Sequence, residues 1–191
     1  VHPMKKLICF LFAFLFLLSA AGCGGKPIDT SWMETPDTTV SRVSSSEALD
    51  SGALNADRMT ISSVLHFPIY KFDTLEDLTQ FKDSLDYPEM LSLAYDEVPS
   101  FNEVTAKYDE TFFSESTLLL VYAVAHTGSY RFAVDTIASD DTSLCVQIAE
   151  TVHPDGVTDD TAGWFITVAI PDSAAATYTE FDAVLAEGSD C

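Results

Sequence analysis

The chain has 191 residues, of which 47% are hydrophobic, and its formal net charge is −21. That length suits one domain with an appended segment. So acidic a body is repelled by nucleic acid and by anionic lipid surfaces, which argues against a nucleic-acid partner and marks the charge as a solubility device.

In chain order, Met4-Lys5-Lys6 gives a short positive start, Leu7 to Leu18 is apolar throughout, and Ser19-Ala20-Ala21-Gly22 are small. A charged start, a short apolar centre and a small-residue exit make an export signal. Val1-His2-Pro3 stand ahead of that start. The apolar run is too short to span a bilayer comfortably, and no stop-transfer charges follow it. Ala20-Ala21-Gly22-Cys23 resembles the lipobox of bacterial lipoproteins, in which the cysteine carries the lipid, palmitate included, and becomes the mature N-terminus. The resemblance implies cleavage after Gly22 and durable outward-facing anchoring through Cys23, since each buried methylene contributes about 0.8 kcal/mol. The expected division is a signal over 1–22, a flexible tether over 23–60 and a globular domain over 61–191. The tether reading rests on a Ser, Thr, Gly, Pro and Asp-rich composition without periodic apolar faces. Trp32 and Met33 either dock on the domain or stand exposed.

Val64 to Phe72 reads as an edge or bulged strand because Pro68 interrupts it. Asp73 or Thr74 caps a helix with Glu76 and Asp77 in its first turn and Leu75, Leu78, Phe81 and Leu85 as its buried stripe. Tyr87-Pro88 ends it. Ser100 and Glu103 form a capping box for a second helix that turns Phe101, Val104 and Tyr108 inward. Phe112-Phe113 close a short turn.

The period then changes. Leu118 to Ala125 is a continuous apolar run of strand length, covered on both faces. His126-Thr127-Gly128-Ser129 reads as a turn, Tyr130 to Ile137 alternates, Ser139-Asp140-Asp141-Thr142 turns again, and Leu144, Val146 and Ile148 alternate with polar or small neighbours. An acidic loop, Pro154 to Gly163, leads to Trp164 to Ile170, stopped by Pro171. Ala174 to Ala186 suits a helix by Tyr178, Phe181 and Leu185, or an edge strand by Thr177-Tyr178-Thr179. The fold class is therefore α+β: an antiparallel meander of about four or more strands, with one or two N-terminal helices packed on one face.

Candidate chemistry is sparse, and no catalytic residue is assigned. His126, Gly128, Ser129 and Tyr130 form a candidate ligand or partner loop. A His126–Ser129 catalytic pairing lacks an orienting carboxylate and an oxyanion hole, and G-x-S-x-G is absent, so turn geometry is the simpler account. His66 and His153 stand alone, without H-x-x-x-H or C-x-x-C spacing. Asp155, Asp159 and Asp160 offer carboxylates for calcium, but the EF-hand template fails: with Gly156 in the glycine place, Thr151 and Ala162 fall where ligands belong. Tyr130 and Trp164 could face sugars, although Trp164 in such a strand belongs in the core. Cys9 leaves with the signal. Export permits a disulfide between Cys145 and Cys191; the alternative is a buried Cys145 and a free Cys191.

Tyr108-Asp109-Glu110-Thr111-Phe112-Phe113, the apolar strand after it, and Thr127-Gly128-Ser129-Tyr130 opening the next strand are similar to the C-terminal domain of the PrcB family. The similarity covers Tyr108 to Ile170. The family's glycine pair in this turn is reduced here to Gly128 followed by Ser129. The resemblance implies an accessory module outside the cytoplasmic membrane, a subunit of a protease complex, and supplies no catalytic residue. The expected function is a membrane-anchored, non-enzymatic protein-binding module without a cofactor. The alternatives are an extracytoplasmic hydrolase with dispersed site residues, or a calcium- or sugar-binding surface domain.

Overall fold

The run expected to be covered on both faces is the centre of the molecule. The structure, a computed structural model, describes residues 29–43, 66–95, 98–125, 127–152 and 161–186. Within it Ser116–Ala125 form β3, buried along almost its whole length. Successive side chains of a strand point to opposite faces. Leu118, Leu120 and Tyr122 therefore pack with helical residues, while Leu119, Val121 and Ala123 enter a second core on the other side. Ala162–Pro171 form β6, antiparallel to β3 from Ser116 opposite Pro171 to Ala125 opposite Ala162. It divides in the same way: Phe165 joins the helical core, and Trp164, Ile166, Val168 and Ile170 the other.

Two shorter strands flank this pair. Asp37–Val43 form β1, antiparallel to β6, and Ile69–Phe72 form β2, antiparallel to β3. The first sheet has the order β1-β6-β3-β2, with β2 at the edge. Pro68, which cannot donate to a ladder, directly precedes that edge strand. The second sheet contains the hairpin of β4, Arg131–Ser139, and β5, Ser143–Val152, with β7, Glu180–Leu185, parallel to β5. Its inner side chains, among them Phe132, Ile137, Leu144, Val146, Ile148 and Ala183, fill the core between the sheets.

Helices cover the other face of the first sheet. α1, Leu75–Asp83, is capped by Thr74, whose side chain accepts from the Asp77 N–H at 3.1 Å. A 3₁₀ turn over Pro88–Ser92 follows, with proline at its start. α2, Phe101–Thr105, carries the capping box: Ser100 Oγ accepts from Glu103 N, and the Glu103 carboxylate accepts from Ser100 N. α3, Glu110–Phe113, starts at Asp109, which accepts from Phe112 N at 2.9 Å. Phe165 joins these parts, its ring 6.1 Å from Phe81, 4.6 Å from Phe101 and 5.3 Å from Tyr122. Aromatic pairs of this kind contribute about 0.5–1.5 kcal/mol each beyond burial.

The fold is α+β, with a four-stranded antiparallel sheet and helices ahead of its long strands, as the sequence pattern predicts. The order of the strands differs from a consecutive meander. β3 leaves its sequence neighbour β4 to the second sheet and pairs with β6 instead. Two sheets then bury the apolar faces of all these strands, which one open sheet with short helices could not.

The domain also begins earlier than residue 61. Thr30 to Glu34 and β1 come from the expected tether, and β1 pairs with β6 along seven residues. Edge pairing needs few apolar groups, and Val40, Val43 and Ser41 turn inward from an otherwise polar stretch. Trp32 and Met33 pack against the inter-sheet core. Residues 23–28 and 44–60 of the expected tether lie outside the described residues, as does the expected signal over 1–22. In the ambiguous C-terminal stretch Phe181 and Leu185, the residues that suited a helix, lie in the strand β7, which starts after Thr177-Tyr178-Thr179, and the only helix there, α4, Asp172–Ala175, precedes them. No helix among the described residues is long and apolar enough to cross a membrane.

Candidate functional site

The register of the first sheet brings the C-terminal end of β1, the start of β6 and the turn after β3 to one end of the molecule. Arg42 lies opposite Trp164, which lies opposite Ala123. The turn between β3 and β4 is built on Thr127, only 1% exposed, whose Oγ1 accepts from the Ser129 N–H at 3.3 Å. Arg131, the first residue of β4, folds back over it: Nη1 donates to the carbonyls of Gly128 and Tyr130, both at 2.9 Å.

This turn holds a guanidinium on an indole. Arg131 Cζ lies 5.2 Å from the Trp164 ring centroid, and Arg42 Cζ lies 5.9 Å from the same ring and 4.8 Å from that of Tyr95. These are cation–π distances, favourable because the ring face is negative. Phe132 meets Trp164 edge-on at 6.3 Å, and Tyr130 stacks on Phe132 at 6.5 Å. Trp164 is fully buried, as expected, and is no part of an exposed platform for sugars. Its Nε1–H has no hydrogen-bond partner among the described residues. Of the candidate loop, Gly128 and Tyr130 meet Arg131 here, Ser129 bonds to Thr127, and His126 lies outside the described residues. Sequence reading passed over Arg42 and Arg131, since the net charge conceals where the few cations gather. They are the two arginines among the described residues.

A second constellation sits on the second sheet. His66 bridges to the outer edge of β7, and its Nδ1 lies 3.0 Å from Asp182 Oδ1. Asp182 is the register partner of Cys145 on β5. Cysteine, histidine and aspartate suggest a thiol nucleophile, but the electrostatics run the other way. Burial pushes the Cys145 thiol up, and the negative charge of Asp182 adds to it. An activated cysteine needs a lowered pKa. Cys145 is a half-buried free thiol.

A third cluster joins two carboxylates through a buried hydroxyl. Thr117 Oγ1 donates to Asp73 Oδ1 at 2.9 Å and lies 3.2 Å from Asp172 Oδ1. Among the described residues no group of three or more His, Cys, Asp or Glu side chains is placed to hold a metal ion. The proposed calcium ligands Asp155, Asp159 and Asp160 lie outside the described residues, as do His153, Cys23 and Cys191.

No protein-family model, curated protein or solved structure matches the chain.

Proposed function

We propose that the protein is an exported lipoprotein, anchored through Cys23, whose domain is a non-enzymatic accessory module that docks a basic surface of another protein. The signal-like N-terminus and the Ala20-Ala21-Gly22-Cys23 box support the anchoring. The outer face of the second sheet, on which no helix among the described residues packs, carries the docking reading. Helices pack on the first sheet, whereas the outward rows of β4, β5 and β7 carry small or short polar groups: Thr136, Gln147 and Val184 in one row, Ala138, Cys145 and Asp182 in the next. Thr136 and Ala138 are exposed. Such a face is flat and low, a shape that admits a broad partner surface. Asp182 on it and Asp135, Asp140, Asp141 and Glu180 around it lie within a chain of net charge −21, so a lysine- and arginine-rich surface is the complementary partner. A protease subunit is the specific form of this partner that the PrcB resemblance suggests.

The test is capture from detergent-solubilised membranes with the full-length protein as bait. One partner of basic surface should be retained at low salt, lost at high salt, and lost with Thr136→Arg and Gln147→Arg. Capture unchanged in both variants would remove the face from the reading. Membrane association that survives Cys23→Ala would remove the anchor.

A further inference from the structure

The second sheet ends at β4, and one long side of that strand has no strand beside it. The ladder fixes which groups stand there. Asp140 N–H donates to Ser143 O at 3.0 Å, and along an antiparallel pair bonded and unbonded residues alternate. Counted back from Asp140, Ala138 and Thr136 turn their peptide groups to β5, whereas Ser139 and Ile137 turn theirs away. The far side of β5 agrees: Ile148 accepts from the Ala186 N–H at 2.8 Å and so faces β7 in the same alternation. Outside the ladder with β5, no backbone group of residues 132–139 is hydrogen-bonded among the described residues. Asp135, Thr136, Ala138 and Ser139 are exposed, so solvent reaches this stretch.

One segment approaches that strand. The 3₁₀ turn Ser31–Met33 lies near β4 and packs Trp32 and Met33, both half-buried, against the inter-sheet core. Its hydrogen bonds are all local: Ser31 N–H to Asp29 Oδ1, Met33 N–H to Thr30 O and Glu34 N–H to Ser31 O. Among the described residues no hydrogen bond or ion pair joins 29–36 to the rest of the protein, whereas from Asp37 onward β1 is laddered to β6. The Trp32 Nε1–H is buried without an acceptor among them, a cost that water would remove. Asp29 and Glu34 also add negative charge to an acidic body. The turn is held by apolar contact alone, against an electrostatic penalty.

We infer that β4 is the strand to which a partner adds an extended, lysine- or arginine-bearing segment, and that the Ser31–Met33 turn is the cover this segment displaces. An unpaired strand edge is a template for another chain, and a loop laid over it is one way of guarding it. Main-chain bonds to Ile137 and Ser139 hold the added strand, and such bonds tolerate many side chains. Charge selects among them. Arg131, the one cation of β4, is folded back on its turn, while Asp135 within the strand and Asp140 and Asp141 just after it attract cations. A basic segment therefore relieves the repulsion that the acidic cover adds. The inference rests on the basic-partner reading and gives it a mode of binding, strand addition.

The experiment uses full-length protein in detergent, labelled with fluorotryptophan, and follows the ¹⁹F resonances of Trp32 and Trp164, assigned by the loss of one in Trp32→Phe. The probe is a short capped peptide of alternating lysine and valine. The control is the same peptide with every backbone nitrogen methylated, which keeps the charges and loses the main-chain donors. The Trp32 resonance should move saturably toward its unfolded-chain position with the probe and not with the control, while that of Trp164 stays in place. Calorimetry should show Trp32→Ala, whose cover is unseated, binding the probe on the order of tenfold tighter. A wild-type Trp32 resonance that the probe leaves unmoved, or that the control moves equally, overturns the proposal even where the variant fails to fold. So does a folded Trp32→Ala that binds no tighter than wild type. Partner capture that still depends on Thr136 and Gln147 after such a result removes strand addition and leaves the basic-partner reading standing.

Discussion

Tyr108 and Thr167 meet inside the protein: the phenol hydroxyl donates to Thr167 Oγ1 at 3.1 Å, and Thr167 in turn donates to the carbonyl of Thr39 at 3.2 Å. The three residues tie the segment after α2 to β6 and to β1. Thr167 is fully buried and Tyr108 is 2% exposed, so neither hydroxyl has water to fall back on. Thr167→Val should therefore cost about 1–3 kcal/mol, because it strands the Tyr108 hydroxyl and the Thr39 carbonyl. Tyr108→Phe should cost less, about 1 kcal/mol, since Thr167 still donates to Thr39. Urea midpoints of the two variants check the order.

Gly163 lies under the ring of Tyr122. A Cβ added there would stand 2.8 Å from Tyr122 Cε2 and 2.9 Å from its Oη. Tyr122 is 4% exposed and packed against Phe165, so its ring has little room to retreat. Gly163→Ala should destabilise by about 1–3 kcal/mol, the usual cost of overpacking. Tyr122→Leu, which removes the clash, should return part of that loss when combined with it; additive costs would show that the two sites do not meet.

Burial pushes the Tyr70 phenol up to about 12 from its ordinary 10.0. A group whose folded pKa is raised contributes stability below the unfolded value and loses it as pH rises through the folded one. Stability should accordingly fall between pH 10 and about 12, as the unfolded chain releases a proton that the folded one retains. Tyr70→Phe should flatten that alkaline limb, which thermal unfolding across the range would reveal.

Cys145 should be a slow thiol. Peptide-resolved iodoacetamide labelling near pH 8 should give it a lower rate than an unfolded cysteine, and Asp182→Asn should raise the rate by removing a negative charge beside the thiolate. A rate above that of the unfolded cysteine would contradict the electrostatic account.

Much of the fold was legible where cause and effect are close in the chain. The Ser100–Glu103 box, the Thr74 cap and the Asp140 turn each act within three residues, and each is present. The burial of Leu118 to Ala125 was legible because hydrophobicity on both faces leaves no solvent side. Partners of strands were not. Alternation says which side chains share a face, but it does not say which strand lies alongside, and β3 with β6 is a long-range choice made by two cores at once. β1 escaped notice because an edge strand needs only a few inward groups. The candidate site was less legible still. His66 and Asp182 are separated by 116 residues. Arg131 gains its place over Trp164 from a turn whose two carbonyls hold one of its nitrogens, which no composition records.

The early start of the domain has a consequence for reach. With a lipid on Cys23, the leash runs only to the 3₁₀ turn at Ser31–Met33, not to residue 60. Eight extended residues measure at most about 30 Å. A leash to residue 60 would have let the domain roam several times that height. A body anchored through Cys23 would be held within that height of the bilayer, and a protein partner would have to come down to that layer to meet it.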